Sequence, residues 1–166
     1  MAEIVNVLTE DLPALRLVGK RYTHADGKDG GFGHLWGQWF AEGWLNTLEA
    51  LGQAKGIEGG YLGFMRTQPQ QPQFEYWIGM FFAPDTAVPD GFDFIDLPAS
   101  QVGVCWVKGN DQDRSIFNMH DACVAALQEK GILTGEPVMH FERYSGTRYT
   151  QRDADGNVIL DYGVFV

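Results

Sequence analysis

The chain has 166 residues, 45% hydrophobic and 13% aromatic, a composition that supplies a substantial core and excludes a disordered protein. Its 12 basic and 22 acidic residues give a formal charge of −10, and no basic stripe interrupts that balance, so direct nucleic-acid binding is not expected. No apolar run approaches the ~20 residues that cross a bilayer. The opening "MAEIVNVLTEDLPALRL" lacks the basic and apolar regions of a signal peptide, so a cytoplasmic location without membrane contact is expected.

In chain order, "ALRLVGKRYTH" reads as a strand and "GKDGGFG" (Gly27 to Gly33) as a flexible lead-in to a helix. The helix is "HLWGQWFAEGWLNTLEAL", His34 to Leu51. Trp36, Phe40, Trp44 and Leu48 fall four apart, with Leu35 and Trp39 beside them and Gly52 as a stop. Two strands follow, "GYLGFMR" and "FEYWIGMFF", separated by the breaker "TQPQQPQ". The turn-rich "APDTAVPDGFDFIDLPAS" comes next and carries a short strand over Phe92 to Leu97.

The second half repeats the order. "QVGVCWVKG" is a strand, "RSIFNMHDACVAALQEKG" a helix ending at Gly131, and "MHFERYS" and "NVILDYGVFV" are strands joined by a turn at "DADGN". Ile78-Gly79-Met80-Phe81-Phe82 is matched by Tyr162-Gly163-Val164-Phe165-Val166. The expectation is one α+β domain over residues 1–166, built from β-α-β-β repeats at about 12–82 and 95–166. The repeats would form one mostly antiparallel, curved sheet with two helices on one face and a central ligand cleft, the free face curving into the groove.

Several chemistries are not supported. "GKDGGFG" lacks the ending of a phosphate loop and the third glycine of a dinucleotide fingerprint, and "DADGN" lacks the glycine position and closing glutamate of a calcium loop. His24, His34, His120 and His140 have no metal-ligand spacing, and there is no G-x-S-x-G. Cys105 and Cys123 lie in apolar segments and read as reduced core thiols. No cofactor and no metal are expected, and the chain reads as a binding protein rather than an enzyme.

Glu142 stands at the centre of "MHFERYS" between two aromatics, where a carboxylate is costly unless something pairs with it. Period-two alternation puts His140, Glu142 and Tyr144 on one face and Phe141 and Arg143 on the other. Glu142 is then either a ligand contact or a salt-bridge partner of Arg143, Arg148 or a neighbouring strand. Trp36, Tyr61, Tyr76, Trp77, Trp106 and Tyr162 are aromatic candidates for a pocket wall, each also readable as core, and Tyr76 and Trp77 must face opposite ways. Glu75, on the Trp77 face, is a second acid or a solvated strand residue.

The ordered set "FGHLWGQWF", "YLGFM", "FEYWIGMFFAPDTAVPDGFDFIDLPAS", "GVCWVKG", "HFERY" and "GNVILDYGVFV" resembles the GyrI-like family, also called the AraC-type or BmrR-type effector-binding domains, from about Leu12 to Val166. The resemblance implies a duplicated β-α-β-β fold with a central cleft that, in the drug-binding members, takes cationic aromatic compounds. It also implies that Glu142 is the countercharge; by strand alternation and aromatic character, Tyr144, His140, Tyr76, Trp77, Trp106, Trp36 and Tyr162 are expected as its ligand-binding company. Two other activities occur on this scaffold: hydrolysis of reactive small molecules, with Glu142 as base and Tyr144 as donor, and gyrase-inhibitor-like binding of a protein partner. No helix-turn-helix precedes residue 12, so a role in transcription would need a partner to supply the DNA-binding part. The purified chain should accordingly show no appreciable affinity for duplex DNA at physiological salt; micromolar binding in a fluorescence anisotropy titration would overturn this.

Overall fold

Alternating apolar residues on eight segments draw the chain into a single antiparallel sheet. The computed structural model describes residues 1–68 and 71–166. Its strands are β1 (Glu3–Leu12), β2 (Leu15–Tyr22), β3 (Gly60–Gln68), β4 (Gln71–Phe82), β5 (Asp93–Leu97), β6 (Ser100–Gly109), β7 (Met139–Ser145) and β8 (Val158–Phe165). The helices are α1 (Gly33–Glu42), α2 (Trp44–Glu49) and α3 (His120–Glu129), with 3-10 turns at His24–Asp26 and Ser115–Asn118. None of the described helices is long and apolar enough to cross a membrane.

The strand order is β1-β6-β8-β7-β3-β4-β2-β5. The order β2-α1-α2-β3-β4 in the first half matches β6-α3-β7-β8 in the second, and the halves meet where β7 pairs with β3. Each half also lends an edge strand to the other. β1 precedes β2 in the chain but pairs with β6, and β5 precedes β6 but pairs with β2.

These exchanges force the sheet to curl. β1 and β2 stand six strand spacings apart, roughly 29 Å in a flat sheet. Only Pro13 and Ala14 join them, and three Cα steps reach at most about 11 Å. Pro98 and Ala99 impose the same limit between β5 and β6. The curl is toward the face bearing Phe64, Phe81, Phe141 and Phe165, where rings two strands apart meet. Phe81 of β4 lies 5.7 Å from Phe141 of β7, and Phe64 of β3 lies 6.1 Å from Phe165 of β8. Leu12, Leu15 and Leu97 complete this core beside the two links.

All three helices lie on the opposite face. Leu35, Trp39, Leu45 and Leu48 of α1 and α2 cover Val18, Ile78, Met80 and Phe82. Cys123, Val124 and Leu127 of α3 cover Cys105, Val107, Leu160 and Val164, with both cysteines free and buried. Each helical layer covers its own half, and the central strands β7 and β3 lie between them.

Several expectations need correction. The helix over His34–Leu51 is two helices, because Gly43 takes the left-handed conformation (φ 71°) and ends α1. The segment from Arg114 begins as a 3-10 turn, and its α-helix starts only at His120. Residues 3–12, outside the expected repeats, form edge strand β1. The groove is not on the face away from the helices, because the curl closes that face on its own core. Residues 69–70, within the expected breaker "TQPQQPQ", lie outside the described residues.

The closed face also carries ion pairs. Arg143, 1% exposed, donates to both carboxylate oxygens of Glu10 on β1 (2.7 and 3.1 Å) and to Asp161 on β8 (2.9 Å), and Arg148 reaches Asp161 from the following loop (2.7 Å). Glu75 is neither solvated nor a pocket acid: it is buried on this face between Arg66 and Arg21. Breaking a buried pair leaves its partner uncompensated. Asp161→Ala should therefore lower the unfolding free energy by about 3–5 kcal/mol in urea denaturation. Asp96→Ala, which removes the exposed partner of Arg16, should leave it nearly unchanged.

Candidate functional site

Glu142 projects from the middle of β7 on the helix-bearing face, with Tyr162 beside it on β8 and Gly63 beside it on β3. The absent side chain at position 63 leaves a hollow next to the carboxylate. The Tyr76 hydroxyl lies over that hollow, 2.8 Å from where a Cβ on Gly63 would stand. The uncovered strip between the helical layers forms a cavity of about 1160 Å³ with Glu142 among its lining residues.

The wall around the carboxylate is aromatic. Phe32, leading into α1, stacks on Tyr76 with centroids 4.2 Å apart, and the Trp36 indole donates to the Tyr76 hydroxyl (2.8 Å). Trp36 meets Tyr144 edge-on at 5.0 Å, and Tyr149 meets Tyr144 edge-on at 4.8 Å. The Tyr144 hydroxyl donates to Glu142 Oε2 at 3.1 Å. Aromatic faces attract cations through their quadrupole, so these rings and the carboxylate favour the same kind of charge.

Among the described residues, no Lys, Arg or His forms a salt bridge with Glu142. Arg143 and Arg148, the partners that sequence allows, are engaged with Glu10 and Asp161 on the closed face. Burial pushes the Glu142 carboxyl up to about 7, against the opposing pull of the Tyr144 hydroxyl and the Arg114 guanidinium. Burial, with the nearby Glu142, also raises the Tyr144 and Tyr76 phenols, so both remain protonated donors at neutral pH.

Of the sequence candidates, Glu142, Tyr144, Tyr76 and Trp36 line the cavity, as does Tyr61, which was weighed beside them. Trp77 and Trp106 do not. Strand alternation turns both to the closed face, where Trp77 joins the core and Trp106 packs beneath the Arg148 guanidinium. His140 and Tyr162 are on the cavity face but are packed together with His120 from the start of α3, and the Tyr162 hydroxyl is held by His120 Nδ1. Desolvation there, and the neighbouring His120, lower His140 to about 4, so it is neutral at physiological pH.

Sequence reasoning missed the rim. Phe40, Glu49, Glu58, Arg114, Phe117 and Tyr149 also border the cavity. A signal for Phe40 was present: α1 is apolar on two sides, Leu35 and Trp39 facing the core and Trp36 and Phe40 facing the cavity. Arg114 offers no local signal, since its approach to Gly31 and Gly33 joins segments from the two halves.

No protein-family model and no curated protein matches the chain by sequence. Solved structures do share its architecture. A candidate bacterial transcription regulation protein from Staphylococcus aureus MU50 is 20% identical over 97% of both chains, with a TM-score of 0.70. SAV2435, solved bound to tetraphenylphosphonium, is 20% identical over 98% of this chain and 94% of its own, with a TM-score of 0.72. The EcmrR C-terminal domain is 12% identical over 96% of both chains, with a TM-score of 0.59. The chain therefore shares the fold of these solved structures, as the resemblance read from its sequence implies.

Proposed function

We propose that the chain is a small-molecule-binding domain, related to the effector-binding parts of transcription regulators, whose cavity captures cationic aromatic compounds with Glu142 as the countercharge. The observation that carries this reading is the carboxylate itself. It is set among Trp36, Tyr76 and Tyr144, its one hydrogen-bond donor among the described residues is Tyr144, and no cation of the described residues lies within salt-bridge reach of it, Arg114 acting only from farther off. A bound cation would supply the missing partner while its apolar groups fill the aromatic wall. Tetraphenylphosphonium, bound by the structurally similar SAV2435, has that chemistry: four phenyl rings around one positive charge.

Glu142→Gln retains size and hydrogen bonding and removes the charge. Affinity for tetraphenylphosphonium should fall by about 1–3 kcal/mol in isothermal titration calorimetry, the scale of a charge-assisted contact. A neutral aromatic of similar size should lose much less. Equal losses for both would make Glu142 a packing residue. Without ligand the variant should be at least as stable as the parent at neutral pH and above. The folded state holds the Glu142 proton more tightly (about 7) than a free carboxyl does (4.5), so this group costs stability progressively as pH rises through that window.

Cation binding should carry the matching pH dependence. Only the ionised carboxylate pairs with a cation, so affinity should be level above about pH 7 and fall about tenfold per pH unit below it, flattening near the pKa of the complex. Calorimetry at pH 6 in buffers of different ionisation enthalpy should register release of most of one proton per ligand bound. Binding that is flat from pH 5 to 8 would remove Glu142 from the role.

A further inference from the structure

The cavity contains the same arrangement twice. Near the floor, Trp36 of α1 stands edge-on to Tyr144 (5.0 Å, 68°), and the Tyr144 hydroxyl donates to Glu142. At the rim, Phe40, one helical turn along α1, stands edge-on to Tyr61 (6.4 Å, 69°), and the Tyr61 hydroxyl donates to Glu49. Tyr61 and Tyr144 are direct cross-strand partners on β3 and β7, so the two sets stand side by side along one wall.

The rim set lies at the edge of the core, where Tyr61 packs against it and Phe40 and Glu49 are exposed. Phe40 is 63% exposed, whereas Leu35 and Trp39 of the same helix are buried in the core. Among the described residues Glu49 forms no salt bridge, whereas Glu58, also on the cavity wall, is held by Ser145, Thr147 and Arg148. The one cationic side chain among the described lining residues is Arg114, which lies against Gly31, Gly33 and Phe117 rather than beside Glu49. The cavity volume, about 1160 Å³, exceeds the range of roughly 300–1,000 Å³ typical of sites for a single drug-sized ligand, leaving room beyond a group seated at Glu142.

We propose that Phe40, Tyr61 and Glu49 form a second cation subsite, so that the preferred ligands are elongated aromatic compounds with a positive charge at each end. One charge lies at Glu142 and the other at the rim, with Trp36 against the segment between them. The inference rests on the reading of Glu142 as countercharge and adds a requirement that this reading does not contain. The spacing of the two subsites is fixed by one turn of α1 and by the β3–β7 register, so ligand length should matter.

The test compares α,ω-bis(benzyldimethylammonium)alkanes of increasing chain length with monocations carrying one such group and an alkyl tail of equal length, by isothermal titration calorimetry. One chain length should bind about three- to thirtyfold tighter than its monocationic counterpart, the combined scale of a rim charge and an aromatic face. In Glu49→Gln that ratio should fall to the few-fold share of the aromatic face, and Phe40→Ala in addition should bring it to near one. A ratio near one at every length, or a ratio unchanged in Glu49→Gln, overturns the second subsite while leaving Glu142 in place. Absence of binding by both probe series overturns both readings.

Discussion

Two links of two residues, Pro13–Ala14 and Pro98–Ala99, hold the sheet in its curl, and the arrangement of the binding face follows from them. A flat sheet would ask each link to span more than twice its reach. Curling toward the phenylalanine-rich face lets residues two strands apart touch and closes that side without a helix. It spreads the opposite side, where α1 and α2 stay with the first half and α3 with the second. The cavity is the gap left between helical layers that curvature carries apart, and β7 and β3 are its floor because they occupy the centre of the strand order.

Strand β7 separates two electrostatic regimes within a few ångströms. On the closed face, Arg143 is matched by Glu10 and Asp161, with Arg148 adding a second cation to Asp161. On the cavity face, one residue earlier, Glu142 accepts from the Tyr144 phenol, which meets the Trp36 indole, and no cation of the described residues lies within salt-bridge reach. Burying charge is tolerable where hydrogen bonds and opposite charge are complete, as they are behind the sheet. In front, the cost shows as a carboxyl that holds its proton to about neutrality. The fold gives this carboxylate a phenol for company while arginines stand on the other side of the same strand, which is the contrast on which the proposed role of Glu142 rests.

The strands of both halves, the order of helices and the face of Glu142 were legible because they rest on short-range periodicity. What was missed is non-local. β1 pairs with β6, about a hundred residues away, and nothing in "EIVNVLTEDL" alone announces that partner. A clue lay in the repeated Asp-Leu-Pro-Ala at Asp11–Ala14 and Asp96–Ala99, which marks the two links and with them the exchanged edge strands. The face of the groove depends on the direction of curl, which no local pattern carries. The stripe Trp36, Phe40, Trp44, Leu48 suggested one continuous core face, yet Gly43 breaks the helix within it and the first two residues serve the cavity. Alternation correctly opposed Tyr76 to Trp77, but only the three-dimensional arrangement decides which of the two lines the cavity.

The exchange of edge strands also bears on how a ligand comes and goes. Moving the halves apart as rigid bodies would break the β3–β7 ladder and, because β1 is bound to β6 and β5 to β2, would pull on links with no slack. Such pairing opposes hinge motion between the two halves of the sheet, and with it the action of a closing clamp. On the proposed reading, a ligand would therefore pass the rim, where Phe40 and Arg114 border the cavity, over a floor at Glu142 held by the central strands. A site so preorganised would leave little ordering to the moment of binding, and on the proposed reading ligands would differ in how long each stays rather than in how fast it arrives.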